Sequence, residues 1–225
     1  MKERFALFDM DGVLIDAEPL YKDFLFHHLQ LMGITDETVR SNSFTAFKSE
    51  IIWKKLRETH NLRQDVSELK AQARQGYLDY LNALTEIPAI PGAAEFARAC
   101  HDRFDGVAIA SSAGPKRIEL FLAKLGVRDC FDVMIDGDSV EHSKPAPDCY
   151  LLAAKRLGAE PNECFVIEDA AKGVTAAKSA GMRCIGYAGS GRSSDELRHA
   201  DVVVHDMNTL AENCNANKDL FDIAS

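Results

Sequence analysis

The sequence predicts an α/β protein built on a doubly wound parallel sheet, interrupted once by an all-helical insertion. Two observations carry this reading. Short apolar runs alternate with segments of helical spacing along most of the chain, and the alternation stops between residues 17 and 87.

The runs Phe5–Phe8, Val107–Ala110, Val133–Ile135, Phe165–Ile167 and Cys184–Tyr187 have the length and flanks of strands buried on both faces, and Val202–Val204 follows near the end. Between them, Ala93 to Phe104, Ile118-Leu122-Leu125, Tyr150 to Leu157 and Val174 to Ala180 carry apolar residues at helical spacing. In the insertion, Leu20-Phe24-His27-Leu31, Ile51-Ile52-Leu56 and Val66-Leu69-Tyr77-Leu81 recur at three and four residues with no strand pattern. Residues 17–87 are therefore read as a helical cap subdomain, and residues 1–16 with 88–225 as the sheet-bearing core. The cap ends at Ile87-Pro88-Ala89-Ile90-Pro91-Gly92, a stiff connector, and is expected to hinge over the sheet.

Composition narrows the function. With 225 residues, 46% hydrophobic and 27% charged, the chain fits one soluble core with room for an inserted subdomain. Lys and Arg total 26 against 35 Asp and Glu, a net charge of -9. That balance argues against a nucleic-acid partner, so an anionic ligand must be met by local cations. No apolar window has the length of a membrane span, and the N-terminus lacks a secretory pattern, so no membrane partner is expected. The six cysteines lack Cys-x-x-Cys spacing and read as free thiols of a reducing cytoplasm.

In an open parallel sheet, ligands gather beyond the carboxyl ends of the strands. Asp9 and Asp11 follow the first run, Ser111 and Ser112 the second, Lys144 the third, and Glu168 and Asp169 the fourth. Carboxylates converging on one edge repel unless a cation joins them, and an oxygen-only donor set suits Mg²⁺. Asp9 is then placed to attack phosphorus, once metal and Lys144 neutralise the phosphoryl oxygens. Asp11 is placed to protonate the leaving oxygen and later to take a proton from water. Gly12 allows the sharp turn that brings both acids to the site.

An Asp-x-Asp-Gly segment also suits a simple turn or a calcium loop. Here it follows a buried strand directly, and no series of ligands at calcium-loop spacing comes after Gly12. Ser111, with Ser112 beside it, and the backbone N–H groups before Pro115 read as an anion cradle, or as an ordinary helix cap that can serve as one. Lys144 precedes Pro145-Ala146-Pro147-Asp148, read as an extended loop that starts a helix at Asp148. Glu168 and Asp169 are either metal ligands or acids favouring the dipole of the helix behind them.

Taken in order, Asp9-Met10-Asp11-Gly12-Val13, Ser111, Lys144 with Pro145-x-Pro147-Asp148, and Ile167-Glu168-Asp169 followed by Gly173 and Ala180-Gly181-Met182 resemble the motifs of the haloacid dehalogenase superfamily of phosphatases. The subgroup is the one with a helical cap after the first strand, and the resemblance covers essentially the whole chain. It implies a Rossmann-like core and a cap that closes over substrate. It further implies Asp9 as nucleophile and metal ligand, Asp11 as acid/base with its backbone carbonyl on Mg²⁺, Ser111 and Lys144 on the phosphoryl group, and Asp169 as metal ligand assisted by Glu168.

Within the subgroup, the sequence is similar to β-phosphoglucomutase-like proteins and to sugar-phosphate or phosphoglycolate phosphatases. Mutases carry a His in the early cap, whereas Ala17-Glu18-Pro19-Leu20-Tyr21 puts Tyr21 at that place. The expected reaction is therefore hydrolysis of a small phosphate monoester through an aspartyl phosphate, by a monomer. Intramolecular phosphoryl transfer of the mutase type is the alternative, and a non-catalytic scaffold that binds a phosphorylated ligand is a third reading. Dehalogenases proper have one Asp where this chain has the pair Asp9 and Asp11. A phospho-signalling receiver would have no helical insertion and would carry its Asp on a middle strand. Glu18, Thr45 and Lys48 in the cap are the expected specificity residues.

Overall fold

The structure, a computed structural model, describes residues 3–35, 49–189 and 193–222. The chain divides into two compact units, Met1–Asp16 with Glu86–Ser225, and Ala17–Thr85.

Three helices are described in the second unit: α1 (Ala17–Leu31), α2 (Ser49–His60) and α3 (Val66–Ala83). The start of α3 is set by reciprocal capping: Asp65 accepts from the Glu68 N–H at 2.8 Å, and Glu68 accepts from the Asp65 N–H at 3.0 Å. Aromatic rings fill the interior. Tyr77 of α3 meets Phe24 at 5.1 Å and Tyr21 edge-on at 5.2 Å, and His28 meets Trp53 edge-on at 6.0 Å.

The buried face of α1 comprises Ala17, Leu20, Phe24, Leu25 and Leu29, so it is turned towards His28 relative to the predicted stripe. His27 is exposed because it lies beyond the edge of that face, and Leu31, on the face but the last residue of α1, is 75% exposed. Burial lowers the His28 pKa, with the neighbouring His27 charge adding to the shift.

The first unit holds a sheet of six parallel strands: β1 (Phe5–Phe8), β2 (Gly106–Ala110), β3 (Val133–Ile135), β4 (Cys164–Glu168), β5 (Arg183–Tyr187) and β6 (Val202–Val204). Their order is β3-β2-β1-β4-β5-β6, so β1 is central. Each predicted apolar run is a strand, and β4 extends one residue further to include Glu168. The helices are α4 (Ala93–Arg103), α5 (Pro115–Leu125), α6 (Asp148–Leu157), α7 (Ala171–Ser179) and α8 (Met207–Asn215). Local sequence sets their ends. Pro115 stands in the first turn of α5, Gly126 closes that helix in the left-handed region, and Asp206 caps α8 by accepting from Asn208 and Thr209 N–H groups.

Side chains of β1 alternate between two covered faces. Leu7 packs with Tyr150 and Ala153 of α6 and Val174 of α7, whereas Phe8 meets Phe96 of α4 at 5.4 Å and Phe131 edge-on at 5.6 Å. Covering both faces is what permits an all-parallel sheet of continuous apolar strands. The segments flanking the second unit pair with each other inside the first: Ile15 bridges Ala89 antiparallel, Asp16 N–H donates to Pro88 O at 2.9 Å, and Ile90 N–H donates to Leu14 O at 3.0 Å.

No helix among the described residues is long and apolar enough to cross a membrane, and all six cysteines are buried free thiols. Leu7 is fully buried in the central strand. Leu7→Ala is expected to lower the free energy of unfolding by about 2–5 kcal/mol. Urea denaturation measures this, and an unchanged midpoint would contradict the packing described.

Candidate active site

The carboxyl end of β1 lies between those of β2 and β4. Phe8 is in register with Ile109 on one side and Ile167 on the other, and the N–H of Asp9 donates to Ile167 O at 3.0 Å. Beyond Asp9 the chain folds back on itself: the N–H groups of Val13, Leu14 and Ile15 converge on Met10 O, and Gly12 N–H donates to Ile15 O at 2.7 Å. Gly12 has φ of 84°, and a Cβ there would stand 1.8 Å from Asp169 Oδ2. Glycine is required both by the turn and by the approach of Asp169.

Lys144 reaches this edge from the loop before α6. Its Nζ donates to Asp9 Oδ1 at 2.6 Å, Glu168 Oε1 at 2.8 Å and Ala110 O at 3.1 Å, which accounts for all three of its hydrogens. The ammonium also stands 4.7 Å from the ring centroid of Tyr150, a cation–π contact. The Tyr150 hydroxyl donates to Glu168 Oε1 at 2.7 Å, and Glu168 Oε2 accepts from the N–H groups of Asp169 at 3.1 Å and Ala170 at 3.2 Å. Glu168 thus carries four donors and holds the others in place. A Cβ on Gly173 would stand 1.6 Å from Glu168 Oε1, so glycine at that position makes room for the carboxylate.

The loop carrying Lys144 is not the extended segment that its prolines suggest. Ala146 N–H donates to Ser143 O at 3.1 Å, closing a turn, and Asp148 accepts from His142 N–H at 3.3 Å. The peptide bond between Lys144 and Pro145 is cis, which turns the chain here instead of extending it.

Asp9, Glu168 and Asp169 are buried, and each offers a carboxylate oxygen within 4.8 Å of the others. Burial pushes the Asp9 carboxyl well above the usual carboxylate range; Glu168 and Asp169 add to this, and Lys144 opposes it. For Lys144, burial alone would lower the pKa, but Asp9 and Glu168 outweigh it and the ammonium is held above its ordinary value. Three carboxylates therefore face one ammonium. An all-oxygen set with this deficit of positive charge fits a hard divalent cation beside Asp9, Glu168 and Asp169.

The other predicted residues occupy distinct places. Asp11 Oδ2 accepts from Arg117 Nη2 at 2.8 Å, and its buried Oδ1 has no partner among the described residues. Ser111 is buried at the end of β2; its N–H donates to Ile135 O, and its Oγ accepts from Ala113 N–H at 3.1 Å, capping its own turn. Ser112 is exposed. Glu18 is in the first turn of α1 in the inserted unit, where Lys22 Nζ meets its carboxylate at 2.7 Å. Thr45 and Lys48 lie outside the described residues.

Sequence reasoning misses Tyr150 and Arg117. Tyr150 reads as one apolar position of a helix, and only its hydroxyl marks it. Arg117 does leave a signal: it is a cation in the first turn of α5, where the helix dipole disfavours positive charge.

Because Gly12 lies against Asp169, Gly12→Ala is expected to displace that carboxylate and weaken divalent-cation binding by about 10- to 100-fold. Isothermal titration with Mg²⁺ reads the effect, and unchanged affinity would show that Asp169 is not needed for binding.

Residues 4–181 match the haloacid dehalogenase-like hydrolase family. The fructose-1-phosphate phosphatase YqaB of Escherichia coli K12 is 31% identical over 187 residues, covering 82% of this chain and 97% of that protein. SUPPRESSOR OF QUENCHING 1, a chloroplast protein of Arabidopsis thaliana, is 36% identical over 185 residues, but the match spans only 17% of its length against 80% of this chain. Among solved structures, a candidate β-phosphoglucomutase from Thermotoga maritima superposes with a TM-score of 0.75 at 28% identity, covering 95% of this chain and 97% of the other. With its parallel sheet, its acidic strand ends and this match over most of its length, the chain belongs to the haloacid dehalogenase-like hydrolases.

Proposed function

We propose that this protein is a Mg²⁺-dependent phosphatase of small phosphate monoesters, sugar phosphates or phosphoglycolate-like compounds, working through an aspartyl phosphate on Asp9. The observation that carries the reading is the Asp9 carboxylate, buried at the end of the central strand, 2.6 Å from the Lys144 ammonium and within 4.8 Å of two further acids. The phosphatase named among the relatives, covered over nearly its whole length, supports the same class of substrate.

Mg²⁺ bound at Asp9 and Asp169 with the Asp11 backbone carbonyl, and with Glu168 holding these groups in place, would supply positive charge against the carboxylates and the phosphoryl oxygens. An Asp9 oxygen attacks phosphorus as the ester P–O bond breaks, and Asp11 gives a proton to the departing oxygen. Water then attacks the aspartyl phosphate; Asp11 takes its proton, and Asp9 is released with inorganic phosphate. The Ser111 turn binds the phosphoryl oxygens, with Ser112 beside it, and the Lys144 ammonium opposes their charge from its place against Asp9. Six buried free thiols support work in a reducing cytoplasm.

Release of phosphate from p-nitrophenyl phosphate is expected with Mg²⁺ and not without it. Asp9→Asn is expected to lose activity by at least about 10³-fold with an unchanged circular dichroism spectrum. Activity near that of the wild type would remove Asp9 from the nucleophile role.

The structural neighbour named as a β-phosphoglucomutase favours one second reading, intramolecular phosphoryl transfer. Against it stands Tyr21 on α1, at the place where a mutase carries His. Incubation with β-glucose 1-phosphate, followed by phosphorus NMR, is expected to show free phosphate; accumulation of glucose 6-phosphate would reverse the assignment.

A further inference from the structure

We propose that Arg117 is a positioning residue that sets the orientation of the Asp11 carboxyl group, an inference that rests on Asp11 acting as the acid and base of the proposed reaction. Arg117 and Asp11 are 106 residues apart in sequence, and the ion pair between them joins the first turn of α5 to the loop after β1. A cation in the first turn of a helix works against the helix dipole. The pairing with Asp11 offsets that cost and gives the position a reason beyond surface charge.

The form of the contact matters more than its presence. An Arg–carboxylate pair of full strength is a fork in which two N–H groups meet both oxygens. Here a single bond runs from Nη2 to Oδ2 at 2.8 Å. Both remaining inward atoms, Arg117 Nε and Asp11 Oδ1, are buried without partners among the described residues. Backbone turns fix the main chain around Asp11, since Met10 O gathers three N–H groups and Gly12 N–H is bound to Ile15 O. What remains adjustable is the side-chain torsion, and Arg117 holds it at one oxygen only. Oδ1 is left as the oxygen that exchanges a proton with the departing or attacking oxygen.

An orienting role makes the effect of losing Arg117 depend on the leaving group. A nitrophenolate departs without a proton, whereas a sugar alkoxide needs one. Two substrates are therefore compared, p-nitrophenyl phosphate and a hexose phosphate that the wild type hydrolyses, with Arg117→Met, Arg117→Lys and Asp11→Asn. For Arg117→Met, kcat/KM, which covers only the steps up to formation of the aspartyl phosphate, is expected to fall about 10- to 100-fold on the hexose phosphate and less than about threefold on the aryl phosphate. Arg117→Lys is expected to recover most of the loss, because it restores a donor to Oδ2.

Equal losses on both substrates with a raised KM would overturn the proposal and make Arg117 a phosphate-binding group. Equal losses with a lowered melting temperature and unchanged KM would overturn it in favour of a purely structural tie. Asp11→Asn separates this inference from the reading beneath it. If Asp11→Asn shows the leaving-group dependence and Arg117→Met does not, only the positioning role fails. If Asp11→Asn shows no such dependence, the acid role of Asp11 fails and this inference fails with it.

Discussion

The Lys144 ammonium has three hydrogens; one is taken by Asp9, one by Glu168 and one by the carbonyl of Ala110. Removing it would take from the buried Asp9 and Glu168 the ammonium they share, and leaving buried carboxylates without such a partner costs several kcal/mol per ion in a dry interior. Much of the surrounding geometry follows from keeping that ammonium in place. The parallel register of β1 with β2 and β4 sets Asp9 beside Glu168 and Ala110, and Tyr150 closes the space beneath Lys144. A slip of one residue in β1 would send Asp9 to the opposite face and break the set.

Rigidity and reactivity are divided among the acids. Glu168 is saturated by four donors and sits against a glycine, so it behaves as part of the scaffold. Asp9 has one oxygen on Lys144, and Asp11 has one on Arg117. Groups of the same chemistry thus differ in function because the number and direction of their hydrogen bonds differ.

The sheet was legible because strands buried on both faces must be continuous apolar runs, and each run ended in the polar residues that the edge of a parallel sheet collects. Asp9, Glu168 and Asp169 could be named for the same reason. The turn at Ser143–Ala146 is not legible, since nothing in the order of residues shows which X-Pro bond is cis. The inward face of α1 is misjudged at His27 because apolar spacing leaves the centre of a broad face open by a fraction of a turn, and at Leu31 because spacing does not mark where a helix leaves the core. Tyr150 is missed because nothing local marks its hydroxyl's partner, and Arg117 because its one local sign, a cation in a helix's first turn, does not point to a partner 106 residues away.

The paired segments that flank the inserted unit bear on how the chain reaches this fold. Leu14 to Asp16 and Pro88 to Ile90 are bonded to each other within the sheet-bearing unit, so the core itself holds the two ends of the insertion together. The entropy of closing that long excursion is met once, at a short backbone ladder, and grows only slowly with the length of chain between its ends. An insertion anchored in this way can be lengthened, shortened or rebuilt while the strands beneath keep their register. The sheet edge and the inserted unit can then change in separate steps of descent.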